Sequence, residues 1–178
     1  LRGKANTMDP VFIVGKGEID ETMIQGVKDC LDARELIKLK VLESSMYNAR
    51  EAAAKLAEAL RAKGVETVSM DLARCDMAEA VAQAFRFSKL VLATPTYNAD
   101  VFPFMKDFIN HLTERNYQNR TVAFIENGSW APMATKVMRK MLENSKALTF
   151  ADTTVTVKGA LNDASEAQIA ALADELSK

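Results

Sequence analysis

Short apolar runs along this chain alternate with stretches in which apolar residues return every three or four positions, a pattern that predicts strands and amphipathic helices in turn. Val11-Phe12-Ile13-Val14, ended by Gly15-Lys16-Gly17, predicts a strand over 11–14. Asp20 is a suitable cap for a helix over 20–34, with Met23, Ile24, Val27 and Leu31 on one face. Residues 36–42 read as a strand in which Lys38 and Lys40 partly interrupt the apolar side chains. The segment 49–62, rich in Ala, Leu, Glu and Lys, predicts a helix that stops at Gly64. Further strands are expected over 65–70, 89–94, 121–125 and 153–157, with 89–94 as the central one. Helices are expected over 77–87, 102–115, 132–144 and 164–176.

Strands and helices that alternate with short connections predict a mainly parallel sheet covered by helices. Two loops stand out, Thr94-Pro95-Thr96-Tyr97-Asn98-Ala99 and Glu126-Asn127-Gly128-Ser129-Trp130-Ala131, each between an apolar run and a helical stretch. In a parallel sheet such loops leave the carboxyl ends of neighbouring strands, where open sheets bind ligands. A planar, partly polar cofactor is the expected ligand.

Composition narrows the chemistry. At 178 residues, 48% hydrophobic and 26% charged, the chain suits one domain with a full core. A net charge of −1 gives no global attraction to nucleic acid or an anionic membrane. With one histidine, His111, and two separated cysteines, Cys30 and Cys75, no metal site is expected. The cysteines without CxxC spacing, and the lack of an apolar leader or membrane span, point to a cytoplasmic protein.

From about residue 41 the order of five strands and five helices is the flavodoxin-like count. Ser45-Met46-Tyr47-Asn48, Thr94-Pro95-Thr96-Tyr97-Asn98 and Ile125-Glu126-Asn127-Gly128-Ser129-Trp130-Ala131-Pro132 resemble the three FMN loops of A-type flavoproteins, the flavodiiron proteins. The resemblance is close over about 54–177, including Leu60-Arg61-Ala62-Lys63-Gly64-Val65 and Tyr117-Gln118-Asn119-Arg120. It implies a three-layer α/β/α fold with core strand order 2-1-3-4-5. It also implies FMN as cofactor, electron transfer as the activity and a redox partner protein, without a substrate of the chain's own. The diiron domain is absent, so its oxygen or nitric oxide chemistry does not carry over.

Residues 1–53 resemble something else. Pro10-Val11-Phe12-Ile13-Val14-Gly15-Lys16-Gly17 and Ala33-Arg34-Glu35-Leu36-Ile37-Lys38-Leu39-Lys40-Val41-Leu42-Glu43 are similar to the bacterial CRM domain of ribosome-associated RNA-binding proteins. That family approaches RNA backbone through a GxxG loop. Here the loop is Gly15-Lys16-Gly17-Glu18, in which an acidic residue replaces the last glycine, and seven Lys/Arg stand against eight Asp/Glu over 1–43. RNA binding through Gly15, Lys16 and Gly17 competes with a plain strand-to-helix connection. The two resemblances overlap over 39–60, which suits either parent. A recombined or designed chimera is expected, one composite domain with CRM-like 1–38, shared 39–60 and flavodoxin-like 61–178, the extra strand and helix coming from the first part.

The flavodoxin resemblance assigns phosphate binding to Ser45, Met46, Tyr47, Asn48, Ala49 and Arg50, with Arg50 where the family has a threonine. Arg50 either pairs with phosphate or points to solvent. The isoalloxazine side falls to Thr94, Pro95, Thr96, Tyr97, Asn98 and Ala99 and to Asn127, Gly128, Ser129 and Trp130. Tyr97 offers a stacking surface, and the alternative is a turn merely shaped by Pro95 and Asn98. Trp130 faces the flavin or packs in the core. Asp100 and Glu126 read as solvated charges, and Met133 and Met138 as packing residues. No acid, base or nucleophile is needed, because the cofactor carries the redox chemistry. A scaffold without selected activity is the remaining alternative.

Overall fold

The computed structural model describes residues 12–14, 29, 39–41, 44–128 and 131–178, with side chains described at 29, 49–128 and 131–178. The chain divides into two compact units, 1–45 and 46–178. In the first unit β1 (Phe12–Val14) pairs in parallel with β2 (Leu39–Val41), Phe12 opposite Leu39. The expected helix over 20–34 lies outside the described residues apart from helical Asp29.

The second unit holds α1 (Ser44–Ala62, from its third residue), α2 (Met77–Arg86), β3 (Lys89–Tyr97), β4 (Asp100–Val101), α3 (Pro103–Glu114), β5 (Arg120–Asn127), α4 (Ala134–Leu142), β6 (Leu148–Val157) and α5 (Asp163–Leu176). Its sheet has the order β4-β3-β5-β6, with β3, β5 and β6 parallel and β4 antiparallel to β3. In β5 successive side chains point to opposite faces. Val122 and Phe124 join α2, α3 and α4 in one core, while Ala123 and Ile125 join α1 and α5 in the other. The result is an α/β/α sandwich of the expected flavodoxin-like class.

The β3-β5-β6 part reproduces the 3-4-5 half of the expected order, and the other half is corrected. The segment expected as its first strand is β2, paired with β1. Residues 65–70 form no strand. Two of their carbonyls are engaged by side chains instead of a ladder: Arg61 donates to the Thr67 carbonyl at 3.1 Å and the Thr67 hydroxyl to the Val65 carbonyl at 3.0 Å. Among the strands with described side chains the most buried is β5, not the 89–94 run, with every side chain from Val122 to Asn127 buried. Along 89–95, β3 has a strand partner only on its β5 side among the described residues.

Strand ends also move. Strand β3 runs past Thr94 to Tyr97 and folds back on β4 through Asn98 and Ala99, with φ of 50° and 58°. Two consecutive left-handed residues mark a tight type I′ hairpin, whose twist suits the flanking strands. Strand β6 starts at Leu148, five residues before the expected 153, because it bulges: the register skips from Val122↔Phe150 to Phe124↔Thr154. Glu175 accepts the amides of Asp152 at 2.7 Å and Thr153 at 3.0 Å, which satisfies the donors the bulge takes out of the ladder.

Candidate functional site

The carboxyl ends of β3, β5 and β6 lie level, since Pro95 is in register with Asn127 and Asn127 with Val157. The loops that follow therefore open at one edge of the sheet. The amino-terminal part of α1 belongs to the same edge. Thr156, late in β6, donates its amide to Gln168, early in α5, and the amides of Asp152 and Thr153 reach Glu175 near the helix end, so α5 runs opposite to β6. Lys55 pairs with Glu166, and Lys63 pairs with Asp174 at 2.7 Å. The spacing of eight residues on both helices makes α1 parallel to α5. The amino-terminal turns of α1 thus point to the edge where β3 and β5 end.

The residues expected as a phosphate loop, Ser45 to Asn48, lie within α1, which starts at Ser44. A helix start offers unpaired backbone N–H groups and the positive end of the helix dipole, the features an anion needs. Side chains of Ser45, Met46, Tyr47 and Asn48 lie outside the description. Ala49 is buried and Arg50 exposed. The Arg50 guanidinium lies 3.7 Å from the Asp71 carboxylate, which also pairs with Arg74 at 2.5 Å. Burial raises the Asp71 pKa, but the Arg74 hydrogen bond, the Ala73 amide and the charges of Arg74 and Arg50 outweigh it and hold the carboxyl below its ordinary value.

At the second loop Thr94 is buried while Tyr97 stands 48% exposed on the rim. The Tyr97 ring meets Phe102 edge-on at 5.4 Å, and Phe102 lies 5.8 Å from Phe104, itself partly exposed. Tyr97 thus packs against Phe102 and keeps about half of its surface exposed. Asn98 and Ala99 are exposed at the hairpin tip. Asp100 is ion-paired with Lys106 at 2.6 Å, and that hydrogen bond, helped by the Val101 amide, holds its carboxyl below the ordinary range.

The third loop begins inside the protein. Asn127 is buried at the end of β5, and the Gly128 amide donates to the Val157 carbonyl at 3.1 Å. A Cβ on Gly128 would stand 2.9 Å from Pro132 Cα and 3.2 Å from Thr96 Oγ1, so only glycine lets the loop fold back here. Ser129 and Trp130 fall outside the described residues, as do Gly15, Lys16 and Gly17.

Glu126 corrects the expectation of a solvated charge. It is 7% exposed, and its carboxylate accepts the Thr135 amide at 2.9 Å and the Thr156 hydroxyl at 3.1 Å. Thr96 plays a related part: its hydroxyl oxygen accepts the amides of Met133 at 2.9 Å and Ala134 at 3.2 Å. These roles follow from a defect visible in the sequence. The residue before α4 is Met133, which has no capping oxygen, so side chains from β3 and β5 satisfy the helix start. No local spacing links Thr96 or Glu126 to residues 133–135.

The described residues at this edge include a half-exposed aromatic side chain at Tyr97, a glycine-tightened turn after β5 and a helix start beyond. Among the described residues no group of three or more His, Cys, Asp or Glu side chains could hold a metal ion, and no helix is long and apolar enough to cross a membrane.

Comparison with known proteins identifies two regions. The NADPH-dependent FMN reductase family model matches residues 44–162, and the CRS1 / YhbY (CRM) domain model matches residues 1–72. The chain is 38% identical over 68 residues to the probable RNA-binding protein YqeI of Bacillus subtilis (strain 168), which spans 38% of this chain and 71% of that protein. The fold resembles rubredoxin oxygen:oxidoreductase of Desulfovibrio gigas, with TM-score 0.69 and 20% identity over 74% of this chain and 32% of that one. It resembles the flavodiiron protein of Giardia intestinalis, with TM-score 0.65 and 17% identity over 72% and 32%, and a flavodoxin from the Archaea, with 0.64 and 14% over 74% and 89%. The chain therefore spans about a third of the first two proteins and most of the third.

Proposed function

We propose, for a chain that belongs to the NADPH-dependent FMN reductase family over residues 44–162 and to the CRM domain family over residues 1–72, that the 46–178 unit is an FMN-binding, flavodoxin-like electron-transfer module. The observation that carries this reading is the half-exposed Tyr97, packed against Phe102, at the carboxyl edge toward which the start of α1 also points. In it, Tyr97 stacks on the isoalloxazine, with the backbone of 94–99 and 127–130 along the ring edge. The turns of α1 that belong to this unit, from Met46 to Arg50, hold the phosphate. Bound FMN supplies one- or two-electron redox chemistry, and the chain's residues bind, orient and shield it for a redox partner protein.

The phosphate side is the weaker side, because Arg50 replaces a small hydroxyl residue and is already engaged by Asp71. The overlap of the two family matches over residues 44–72, which hold helix α1 and the segment after it, supports recombination within a shared element. The test is an absorbance spectrum of protein purified without added cofactor, followed by titration with FMN. A flavin band or saturable quenching of FMN fluorescence is expected; no quenching at about 100 μM protein, a range where Kd corresponds to only ~5.5 kcal/mol, overturns the reading.

A second reading concerns the first unit. The CRM match and the YqeI similarity favour RNA binding through Gly15, Lys16 and Gly17. It predicts salt-sensitive retention of structured RNA that is lost in Lys16→Glu. Retention unchanged by salt or by the substitution removes it.

A further inference from the structure

The amino terminus of α4 is held by three consecutive amides, Met133, Ala134 and Thr135, none of which uses a side chain from its own helix start. Thr96 takes the first two and Glu126 the third, and Glu126 also takes the Thr156 hydroxyl. Strands β3, β5 and β6 thus meet at one helix end. Thr96 is the central member, since it belongs to the second loop while its partners close the third.

We propose that Thr96 is a positioning residue that locks the second and third loops into one preformed cradle for the flavin ring. The inference rests on the FMN reading above and goes beyond it, because it assigns Thr96 an action through the backbone of 133–134. Both lone pairs of the Thr96 oxygen are taken by amides, so what remains toward a ligand is the hydroxyl hydrogen. The contact with Gly128 completes the lock: Thr96 Oγ1 lies 3.2 Å from where a Cβ at 128 would be, so the turn after β5 folds directly against Thr96. The residues that flank this loop are held on both sides, Gly128 by its hydrogen bond to the Val157 carbonyl and Met133 and Ala134 by Thr96. A loop fixed at both ends loses less freedom on binding than a free one, so the lock raises affinity through preorganisation. Tyr97 follows Thr96 in the chain, so the stacking face and the ring-edge loop share one anchor.

The experiment compares the full wild-type chain with Thr96→Val, which removes the acceptor but keeps a branched strand residue, and Thr96→Ser, which restores the hydroxyl. FMN affinity is read by fluorescence quenching, and amide hydrogen exchange is read without flavin. In the wild type, the Met133, Ala134 and Thr135 amides are expected to exchange slowly, although first-turn amides of a helix ordinarily lack partners. Fast exchange there overturns the lock without any variant. Thr96→Val should speed exchange at Met133 and Ala134 and weaken FMN binding about tenfold, the scale of losing a pair of hydrogen bonds. Thr96→Ser should recover both. FMN binding left unchanged by Thr96→Val overturns the lock alone, whereas no binding by the wild type overturns the flavin reading and this role with it.

Discussion

Glu126, the penultimate residue of β5, places its carboxylate 2.9 Å from the backbone nitrogen of Thr135, the second residue of α4. The negative charge sits at the positive end of the helix dipole. It is also shielded, with the Thr156 hydroxyl donating to its other oxygen. A carboxylate beside a prospective redox centre is thereby used to build the sheet edge.

Glu126→Ala leaves the Thr135 amide and the Thr156 hydroxyl without their partner in a partly buried setting. Hydrogen bonds to a charged group contribute about 1.5–3 kcal/mol each, and because water reaches both partly buried donors a loss of about 2–4 kcal/mol is expected for the two together. Urea unfolding should show a lower midpoint at unchanged slope. A midpoint equal to wild type contradicts the anchoring role.

At Gly128 any side chain meets backbone. The 2.9 Å approach of a Cβ to Pro132 Cα cannot be relieved by rotating a side chain. Gly128→Ala should destabilise by about 1–3 kcal/mol, the range for forced overpacking, and weaken FMN binding. Thermal melts and FMN titration of the same preparation check both.

Tyr97→Ala removes the ring that packs on Phe102, so stability should fall by about 0.5–1.5 kcal/mol, the worth of an aromatic pair. FMN affinity should fall about tenfold, the scale of losing one aromatic stack. An equal fall in Tyr97→Phe would contradict stacking as the cause, because phenylalanine keeps the ring.

Tyr117 is fully buried, its hydroxyl has no hydrogen-bond partner among the described residues, and burial pushes its pKa up from 10.0 to about 12. In the unfolded chain the phenol ionises near 10, while the folded chain keeps its proton to about 12. The unfolded state thus binds fewer protons between these values. The stability this residue contributes is complete below pH 10 and falls through the window by roughly 2–3 kcal/mol. Tyr117→Phe should remove this alkaline loss and leave neutral stability equal or higher, since it deletes a buried unpaired group. Chemical denaturation at pH 7, 10 and 11 decides it.

Asp71 engages the Arg50 guanidinium that the proposed phosphate site would use. Asp71→Asn should tighten FMN binding by a few fold, consistent with the modest worth of a surface ion pair, and the gain should vanish in Asp71→Asn combined with Arg50→Ala. The Asp71 carboxyl is held below its ordinary value in the folded chain, so its contribution to stability is present above the unfolded pKa near 3.8 and is lost as pH falls through the lower folded value. Acid titration of Asp71→Asn should lack that limb.

Much of this architecture is legible from side-chain period. The residues of α2, α3 and α5 fall where apolar positions recur at helical spacing, and Val122 to Ile125 form the buried run that the 121–125 pattern predicts. Loop ends are less legible. Thr96 and Tyr97 read as turn residues, because Pro95 and Asn98 are turn formers, yet they are strand residues paired with Val101 and Asp100. The pairing partner is a two-residue strand too short to register as a periodic run. Residues 65–70 show the reverse: the alternation is present, but carbonyls of Val65 and Thr67 are taken by side chains and no ladder forms.

By its own spacing, the chain determines the helices, the α/β class and the turn-marked segments at the ends of β3 and β5, Pro95 to Asn98 and Gly128 to Pro132. These are local properties, set by propensity and period within a dozen residues. The functions of Thr96 and Glu126 are decided only in three dimensions, 37 and nine residues from the amides they hold. A helix start without its own cap must recruit acceptors from whatever strands end beside it, and the sheet register alone brings those strand ends together.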